Sequence, residues 1–337
     1  MIQRPMRPLL AALLAALAAP AVAQPAASPN PAATLNLTIE NDLFGGTDKY
    51  YTSGFQLSWR SASANPPSWL AWLSEVATPF FPPGGTPRWG LALGQNIFTP
   101  SDTRARIPAP TDRPYAGWLY GAFTLTSYTE RALGTFEVQL GVVGPAALGE
   151  QVQNNVHDLI NVDRALGWRS QLKDEPGINV ILTRQWRFNQ PLDAADPRGL
   201  ALGLVPSLTG SLGNVQTYAS AGLLLRVGSN LQSDFGPPRI RPSLAGSAFF
   251  QPDGQWGWYV FAGVEGRAVA RDIFLDGNTW RDSRRVDRIP LVGEGAVGAV
   301  LIMPWARVSY THTFRGREFQ GQSRMAQYGS VTLSVRF

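Results

Sequence analysis

The sequence predicts an all-β fold, a transmembrane antiparallel β-barrel of 12 strands with a short helix in an outer loop. Segments of about ten alternating apolar and polar residues recur along the chain, separated by turns, which is the sequence pattern of outer-membrane barrels. The chain holds 11 Trp, 9 Tyr, 16 Phe and 34 Gly, whereas only 16% of its residues are charged. The last segment alternates up to Phe337, so the terminal strand is expected to end on an outward-facing aromatic side chain.

The first 23 residues have the pattern of a secretory signal peptide. Two arginines precede an apolar run from Leu9 to Ala19, and small residues before Gln24 suit a cleavage site. Residues 24–33 are rich in Pro and Ala, which predicts a disordered leader and leaves 34–337 for the barrel. After the signal peptide, no stretch approaches the roughly 18–20 apolar residues that a membrane-spanning helix needs.

Charge and cysteine content exclude several kinds of site. Removing Arg4 and Arg7 from the 29 basic residues leaves 27 against 24 acidic residues, a net charge of about +3 that is too small and dispersed to indicate a nucleic-acid partner. The chain has no cysteine, which excludes disulfides, zinc–thiolate sites and thiol nucleophiles.

The order of the segments predicts which loops lie together. The expected strands cover residues 34–42, 51–60, 88–97, 115–128, 132–143, 177–189, 199–212, 216–228, 256–268, 291–302, 304–314 and 326–337. A further apolar piece, Leu244–Phe250, is short and flanked by prolines. Counting it as a strand would put the C-terminus on the outer side, so it is assigned to a periplasmic connection.

This strand count places six loops on the outer side and a long turn on the periplasmic side. The outer loops are residues 43–50, 98–114, 144–176, 213–215, 269–290 and 315–325. The periplasmic turn 61–87 contains two tryptophans and two leucines in one short stretch, which predicts a short interfacial helix.

The first hairpin carries polar residues at its outer end. At the parity of the first strand, Glu40 and Asp42 are expected on the lumenal face, and Thr52 is expected on the same face from the second strand. Carboxylates and amide oxygens suit a hard cation such as Ca²⁺, so Glu40 and Asp42 are candidate metal ligands with Asn41 beside them. The alternative to a metal site is that a carboxylate at the barrel rim is held only by hydrogen bonds. Regular alternation directs Asn41 outward, so a role for it in a lumenal site requires the strand to end or bulge there.

Only two histidines are present, and histidine is the side chain best suited to proton transfer near neutral pH. His312 is expected on the lipid-facing side near the outer rim, in a structural role. His157 lies in a segment where Val152, Val156 and Ile160 recur every four residues, which predicts a short amphipathic helix that buries this apolar face. Gln153 and His157 would lie on its polar flank, and the helix is expected to fold onto or into the barrel mouth. The structural alternative is a hydrogen-bonded loop histidine.

Arginines gather in the second outer loop. Arg113 lies beside the start of a predicted strand, and Arg104 and Arg106 are near it in the sequence. Arginines at an outer rim are suited to grip phosphate groups, and the alternative is that they pair with Asp102 and Asp112.

Short motifs lie in order along nearly the whole mature chain: Glu40-Asn41-Asp42, Thr47-Asp48, Tyr51-Thr52-Ser53-Gly54, Asp112 to Trp118, Gly144-Pro145-Ala146, Gln153 to His157, Gly167-Trp168 and Tyr310 to Arg315. No single motif is decisive, whereas the set in this order is specific. The set resembles the lipid A 3'-O-deacylase family of Gram-negative outer membranes.

The resemblance implies a 12-stranded barrel with a Ca²⁺-dependent site that removes the 3'-linked acyloxyacyl group of lipid A in lipopolysaccharide. The family's functional asparagine and aspartate fall on Asn41 and Asp42, its threonine on Thr52 and its essential histidine on His157. The family's lysine and arginine region has no clean counterpart, and Arg104 and Arg106 are the candidates for its role. Arg113 and Gln153 are further candidates for substrate binding. The outer membrane is the expected location, with the site toward the outer leaflet and a monomer favoured.

The expected chemistry is attack by a water that His157 deprotonates, with Asn41 and Ca²⁺ stabilising the oxyanion and Thr52 orienting the water or a metal ligand. A covalent route with Thr52 or Ser53 as the nucleophile is the alternative. Two other functions stay open at this point. One is an outer-membrane phospholipase, and the other is a non-catalytic channel or structural barrel.

Overall fold

The computed structural model describes residues 30–46, 49–64, 66–77, 80–196 and 199–337. The predicted signal peptide and most of the predicted leader lie outside these residues. The end of the leader packs against the barrel, since the Asn30 amide N–H donates to Ser63 Oγ at 2.9 Å and the Ala33 N–H donates to the Phe337 carbonyl at 2.9 Å.

The described chain folds into a closed antiparallel β-barrel, as predicted. Its strands are β1 (Thr34–Asn41), β2 (Tyr50–Arg60), β3 (Thr86–Thr99), β4 (Ala116–Tyr128), β5 (Ala132–Val143), β6 (Glu175–Trp186), β7 (Phe188–Pro191), β8 (Ala201–Gly213), β9 (Gln216–Gly228), β10 (Gly257–Asp272), β11 (Leu291–Ile302), β12 (Ala306–Arg315) and β13 (Ala326–Arg336). Each strand pairs with the next in sequence, except that β6 and β7 both pair with β8, and pairing of β1 with β13 closes the sheet.

The barrel has 12 spanning strands because β6 and β7 together form one. They are separated by Arg187 alone, and both pair with β8 in continuous order, Gln185 opposite Ser207 and Phe188 opposite Leu204. The predicted strand count is therefore confirmed. The end at which β1 begins and β13 ends is called the terminal end below, and the opposite end is called the loop end.

The alternation along the strands is that of a barrel with an apolar exterior. In β1 the side chains of Asn36, Thr38 and Glu40 are each about 1% exposed, whereas Leu35 and Ile39 are among the exposed apolar residues. Polar side chains thus face the lumen and apolar side chains face outward, which is the reverse of a water-soluble protein.

Among the described residues, three α-helices lie outside the sheet, besides short 3-10 turns. Helix α1 (Ser68–Val76) lies in the connection from β2 to β3 at the terminal end, which confirms a helix in the predicted turn. Helix α2 (Gly149–Leu159) lies in the connection from β5 to β6 at the loop end, and a single helical turn, α3 (Ile273–Asp276), follows β10. No helix in the described ranges is long and apolar enough to cross a membrane.

The connection from β9 to β10, residues 229–256, fills the lumen and is called the plug below. Leu244–Phe250 is not a strand, as predicted, but it lies inside the barrel. Its residues Leu244, Phe249 and Phe250 are buried. The plug contacts inward-facing side chains around the wall, including bonds to Glu40 of β1, Asn96 of β3, Gln185 of β6, Glu294 of β11 and Thr313 of β12.

Buried ion pairs fix the plug. Asp234 accepts hydrogen bonds from Arg226 Nη1 at 2.8 Å and from Arg307 Nη1 at 2.7 Å, and the Tyr259 hydroxyl donates to it at 2.9 Å. The side chains of Asp234 and both arginines are fully buried. A buried charge is tolerated only when it is paired, so each of these groups depends on the others.

We expect Asp234→Ala to lower the free energy of unfolding by about 3–5 kcal/mol, because two buried guanidinium groups lose their carboxylate. Urea titration of the refolded barrel in detergent micelles measures it. Asp282→Ala, in an exposed stretch of the loop after α3, is the control and should change the free energy by less than about 0.5 kcal/mol. Equal effects of the two substitutions would contradict an anchoring role for Asp234.

Candidate functional site

The loop-end terminus of β1 holds Asn41 and Asp42 in a short helical turn. The turn covers Asp42–Gly45, and the Asn41 side-chain oxygen caps it by accepting from the Leu43 N–H at 2.7 Å. Gly46 ends the turn in the left-handed conformation with φ of 69°. The Asp42 carboxylate is buried and accepts from the backbone N–H of Lys49. Both side chains are therefore held by backbone groups of their own loop.

Thr52 lies at an irregularity in β2 that changes the direction in which its side chain points. Tyr51 pairs with Phe98 and Ser53 with Ile97, so Thr52 is an extra residue between two consecutive partners, a β-bulge. Its hydroxyl bonds the Thr99 hydroxyl at 2.6 Å. Phe98 packs among lumenal residues, and Thr99 therefore faces outward. The expected lumenal position of Thr52 is wrong, because the bulge breaks the alternation on which it depended.

Glu40 faces the opposite side of the wall. Its carboxylate accepts from the Tyr51 hydroxyl at 2.8 Å and from Arg239 Nε at 3.2 Å, and the side chain is about 1% exposed in the lumen. Asn41, next in sequence and opposite Ser53, faces outward. The geometry therefore separates Glu40 from Asn41 and Thr52, and it does not support Glu40 as a ligand of a metal held by those residues.

Helix α2 is oriented with its polar flank toward the protein. Gly149, Gln153 and His157, spaced by four residues, are buried, whereas Val152 and Val156 are about 40% exposed. The sequence prediction that the apolar face is buried is therefore wrong. An apolar stripe turned away from the protein is expected where the surroundings are lipid rather than water.

His157 and Gln153 each have a defined hydrogen bond. His157 Nδ1 lies 2.7 Å from the Asp163 carbonyl oxygen, and Gln153 Oε1 accepts from the Trp168 indole N–H at 2.9 Å. With a carbonyl as its partner, Nδ1 carries the hydrogen, which in the neutral ring leaves the lone pair on Nε2. The ring is thus oriented with the nitrogen that can accept a proton on the side away from Asp163.

Helix α2 lies against the outer surface of the barrel wall. Gln95 and Gly117, on β3 and β4, point away from the lumen, since their neighbours Asn96 and Trp118 contact the plug or other lumenal groups. Gln95 Nε2 donates to the Ala147 carbonyl at 2.6 Å. A Cβ on Gly117 would lie 3.0 Å from the Ala147 Cβ, so the glycine permits the close approach of α2 to the wall.

The same outer surface connects α2 to Thr52. Ile97, Tyr115, Ala165 and Trp168 form a buried apolar cluster between the wall and the loop that carries α2. Ile97 and Thr99 are two residues apart on β3 and share its outer face. Asn41, Thr52, Gln153 and His157 are thus associated with one outer face at the loop end, rather than with the lumen.

The candidate arginines lie in different environments. Arg113 is fully buried, pairs with Glu318 at 3.4 Å and lies over the Phe98 ring at 4.6 Å, so it stabilises the inner side of the loop end. Arg104 is exposed and pairs with Asp163 at 2.8 Å, next to the carbonyl that holds His157. Arg106 is exposed and, with Ile107, Leu166, Arg169 and Ser170, lines an open groove of about 470 Å³.

The residues described offer few ligands for a metal. No group of three or more His, Asp or Glu side chains lies close enough to hold an ion in the described ranges. Asp42 is the one carboxylate that remains beside Asn41, and Ca²⁺ usually takes six to eight oxygen ligands. Asp48, in the same loop, lies outside the described residues. A Ca²⁺ ion here would need further oxygen atoms beyond those of Asp42 and Asn41.

Several residues of the site were not predicted as functional. Trp168 orients Gln153, Thr99 holds Thr52, and the Asp163 carbonyl sets the His157 ring. Gly167-Trp168 is one of the motifs that carry the family resemblance, but the sequence gives no role for the indole. Neither the hydrogen bond of His157 to a backbone carbonyl nor the β-bulge at Thr52 is marked by a pattern of residue types, so neither could be predicted from the sequence.

Three comparisons with known proteins were made. The profile of the family described as "Outer membrane protein LpxR" matches residues 9–337. No curated protein matches the sequence. Among solved structures, LpxR from Salmonella typhimurium is similar with a TM-score of 0.72 and 20% identity, over 90% of this chain and 100% of that chain. The β-domain of the Bordetella autotransporter BrkA has a TM-score of 0.44 and 10% identity, over 92% of this chain and 99% of that one.

We expect the loop that holds His157 to loosen in acid. The exposed Arg164 guanidinium donates to the Asp158 carboxylate and lowers its pKa. A carboxylate with a lowered folded pKa stabilises the loop above its unfolded pKa of about 3.9, and this contribution is lost as the pH falls through the lowered value. Hydrogen exchange of the Val162 amide, which donates to the His157 carbonyl, measures it.

At neutral pH, Asp158→Asn should exchange faster than the wild type at Val162, and the difference should disappear in acid below the Asp158 pKa. Asp282→Asn is the control and should match the wild type throughout. A difference that stays constant with pH would show that the Asp158–Arg164 ion pair does not hold this loop.

Proposed function

Because the chain belongs to the LpxR family of outer membrane proteins, we propose that it is an outer-membrane esterase that hydrolyses the 3'-linked acyloxyacyl group of lipid A in lipopolysaccharide. The reaction class is carboxylic ester hydrolysis. The site would open toward the outer leaflet, where lipopolysaccharide is located.

One observation carries this proposal: His157 lies on the buried side of helix α2, which packs on the outer surface of the barrel. The helix turns Val152 and Val156 outward and buries His157 on the side that faces the protein. A substrate that reaches His157 along this surface comes from the membrane rather than from the lumen. A histidine that can transfer protons at a lipid-facing surface fits a lipid substrate.

The residues at the site can perform ester hydrolysis. His157 Nε2 takes a proton from water while the Asp163 carbonyl holds the ring, and the resulting hydroxide attacks the ester carbonyl. The Asn41 side-chain oxygen is held by the Leu43 N–H, which leaves its amide N–H groups as donors to the developing oxyanion. The hydroxyl of Thr52, fixed by Thr99, orients the water. Protonated His157 then returns its proton to the leaving alkoxide.

We also propose that the reaction requires Ca²⁺. Asp42 and the amide oxygen of Asn41 would hold the ion, with substrate or water oxygens completing its ligands. When bound, the ion supplies positive charge that stabilises the oxyanion. Glu40 is not part of this proposal, because its carboxylate is bonded by Arg239 and Tyr51 in the lumen.

The surroundings of α2 suit an amphiphilic, phosphorylated substrate. Arg106 and Arg169 line the open groove together with the apolar Ile107 and Leu166, and Arg104 lies on the same loop as Arg106. Guanidinium groups bind phosphate oxygens, and the apolar residues suit acyl chains. The plug occupies the lumen with buried side chains, which weighs against a channel.

We expect the purified wild-type protein to release the acyloxyacyl group from lipid A, and His157→Ala to release none, because the substitution removes the ring that takes the proton from water. Mass spectrometry of lipid A measures the product. His312→Ala is the matched control, since His312 also lies outside the barrel, 3.2 Å from the Tyr310 hydroxyl. It should retain full activity.

Unchanged lipid A with the folded wild-type protein would contradict the proposed activity. Release of fatty acid from phospholipid instead would identify a phospholipase. Wild-type activity of His157→Ala would remove the histidine from the mechanism.

We expect a chelator to abolish lipid A deacylation and added Ca²⁺ to restore it. Asp42→Asn should need a higher Ca²⁺ concentration for half-maximal activity, because the remaining ligands are neutral. Full activity of the wild type in excess chelator would contradict the calcium proposal and leave the esterase proposal standing.

A further inference from the structure

The hydrogen bond between Glu40 and Tyr51 lies on the lumenal face of the strands that carry the candidate site. Glu40 directly precedes Asn41, and Tyr51 directly precedes Thr52. The Tyr51 hydroxyl donates to the Glu40 carboxylate at 2.8 Å, and both side chains are less than 5% exposed. This bond therefore joins the two site-bearing strand ends from the face opposite to the site.

The Tyr51 side chain reaches Glu40 along the strand, over Gly54. In the β1–β2 register Glu40 lies opposite Gly54, three residues beyond Tyr51. A Cβ on Gly54 would lie 2.1 Å from the Tyr51 hydroxyl oxygen, so any other residue at position 54 would displace the ring. Gly54 thus creates the space in which Tyr51 lies, and the bulge between Tyr51 and Ser53 accompanies this arrangement.

The plug completes the anchor. Arg239 Nε donates to Glu40 at 3.2 Å and its Nη2 donates to Thr313 at 2.7 Å, while the Ile240 N–H donates to Glu40 at 3.4 Å. The negative charge of the buried carboxylate is therefore balanced, and the carboxylate is a strong acceptor for the Tyr51 hydroxyl. Without this carboxylate, the hydroxyl would lose its partner in a buried position.

The direction of Thr52 follows from this anchor. With Tyr51 held in the lumen and Ser53 paired on the outer face opposite Asn41, the extra residue Thr52 bonds the outward-facing Thr99. Without the hydrogen bond from Tyr51 to Glu40, β2 could return to regular alternation, which would turn the Thr52 side chain away from the outer face.

We infer that Glu40 and Tyr51 are positioning residues of the candidate site, whose hydrogen bond on the lumenal face maintains the bulge that presents Thr52 beside Asn41 on the outer face. The inference deepens the proposed function and depends on it for the kinetic effects. The structural consequence at position 52 holds whatever the substrate.

The kinetic test uses Tyr51→Phe with lipid A as substrate. A misplaced site group costs up to about 100-fold in rate, so kcat should fall by about 10- to 100-fold while KM changes by less than about two-fold. Tyr120→Phe is the matched control, because Tyr120 is an equally buried lumenal tyrosine whose hydroxyl accepts from Gln56 of the same strand β2 at 3.0 Å. It should keep the wild-type kcat.

A double-mutant cycle separates positioning from general damage. Gly54→Ala alone should lower kcat at least as much as Tyr51→Phe, because the Cβ displaces the hydroxyl. In Tyr51→Phe the hydroxyl is absent, and the Cβ meets only the ring at 3.2 Å and the flexible end of the Ile240 side chain, Cδ1, at 2.9 Å. The double variant should therefore be no worse than Gly54→Ala. Fully additive losses would contradict the inference.

The structural test does not need activity. Since the chain has no cysteine, Thr52→Cys provides a single thiol, and its rate of reaction with a water-soluble maleimide in detergent reports on its burial. The side chain is 3% exposed, so labelling should be slow. Adding Tyr51→Phe or Glu40→Gln should change the labelling rate by about ten-fold or more, whereas adding Tyr120→Phe should not.

The outcomes distinguish the two proposals. An inactive wild type with the expected labelling changes would reject the esterase and support the role of Glu40 and Tyr51 at the bulge. A wild-type kcat in Tyr51→Phe, or labelling that is unchanged in both anchor variants, would overturn the inference even if the protein deacylates lipid A.

Discussion

Hydrogen bonds between β1 and β13 close the sheet and thereby set the register of the barrel wall. A barrel in lipid has no water to satisfy a free strand edge, so the first strand must pair with the last. Thr34 lies opposite Arg336 and Asn41 opposite Gly329, which fixes the height of β1 in the wall. Because β1 also pairs with β2 in register, the positions of Glu40, Asn41 and Thr52 relative to the wall follow from this closure.

Closure creates a lumen, and its contents determine where chemistry can take place. The plug fills the space and is held by buried ion pairs to the wall, Asp234 with Arg226 and Arg307 and Arg239 with Glu40. Polar residues that face inward are therefore used for structure, as with Glu40 and Arg113. The candidate site lies on the outer surface instead, where α2 covers part of the wall. In the pair β1 and β2, residues on the lumenal face thus stabilise the structure, whereas their neighbours on the outer face form the candidate site.

Much of the fold could be predicted because the two-residue period survives in nearly every strand. The count of 12 spanning strands and the exclusion of Leu244–Phe250 followed from alternation and from the parity of barrels. The insertion of that piece into the lumen could not be predicted, since its buried residues have no period and its partners are distant in sequence. The residues of the site were identified largely through the family resemblance, whereas alternation alone placed Thr52 on the wrong face.

The prediction for α2 was wrong for a physical reason. A helical period shows that two faces differ, but the surroundings decide which face points toward the protein. In water Val152 and Val156 would be buried, and in this barrel they are exposed while Gln153 and His157 are buried. The orientation becomes predictable only once a lipid environment is assumed for the loop end of the wall.

We propose that the substrate binds on the outer wall beneath α2 and not in the lumen. The test is cross-linking with a photoreactive lipid A analogue in vesicles, followed by mass spectrometry of the attachment sites. We expect attachment to α2 and to outward residues of β3 such as Leu93, and competition by unlabelled lipid A. Attachment confined to lumenal residues such as Tyr120 or to the plug would contradict it.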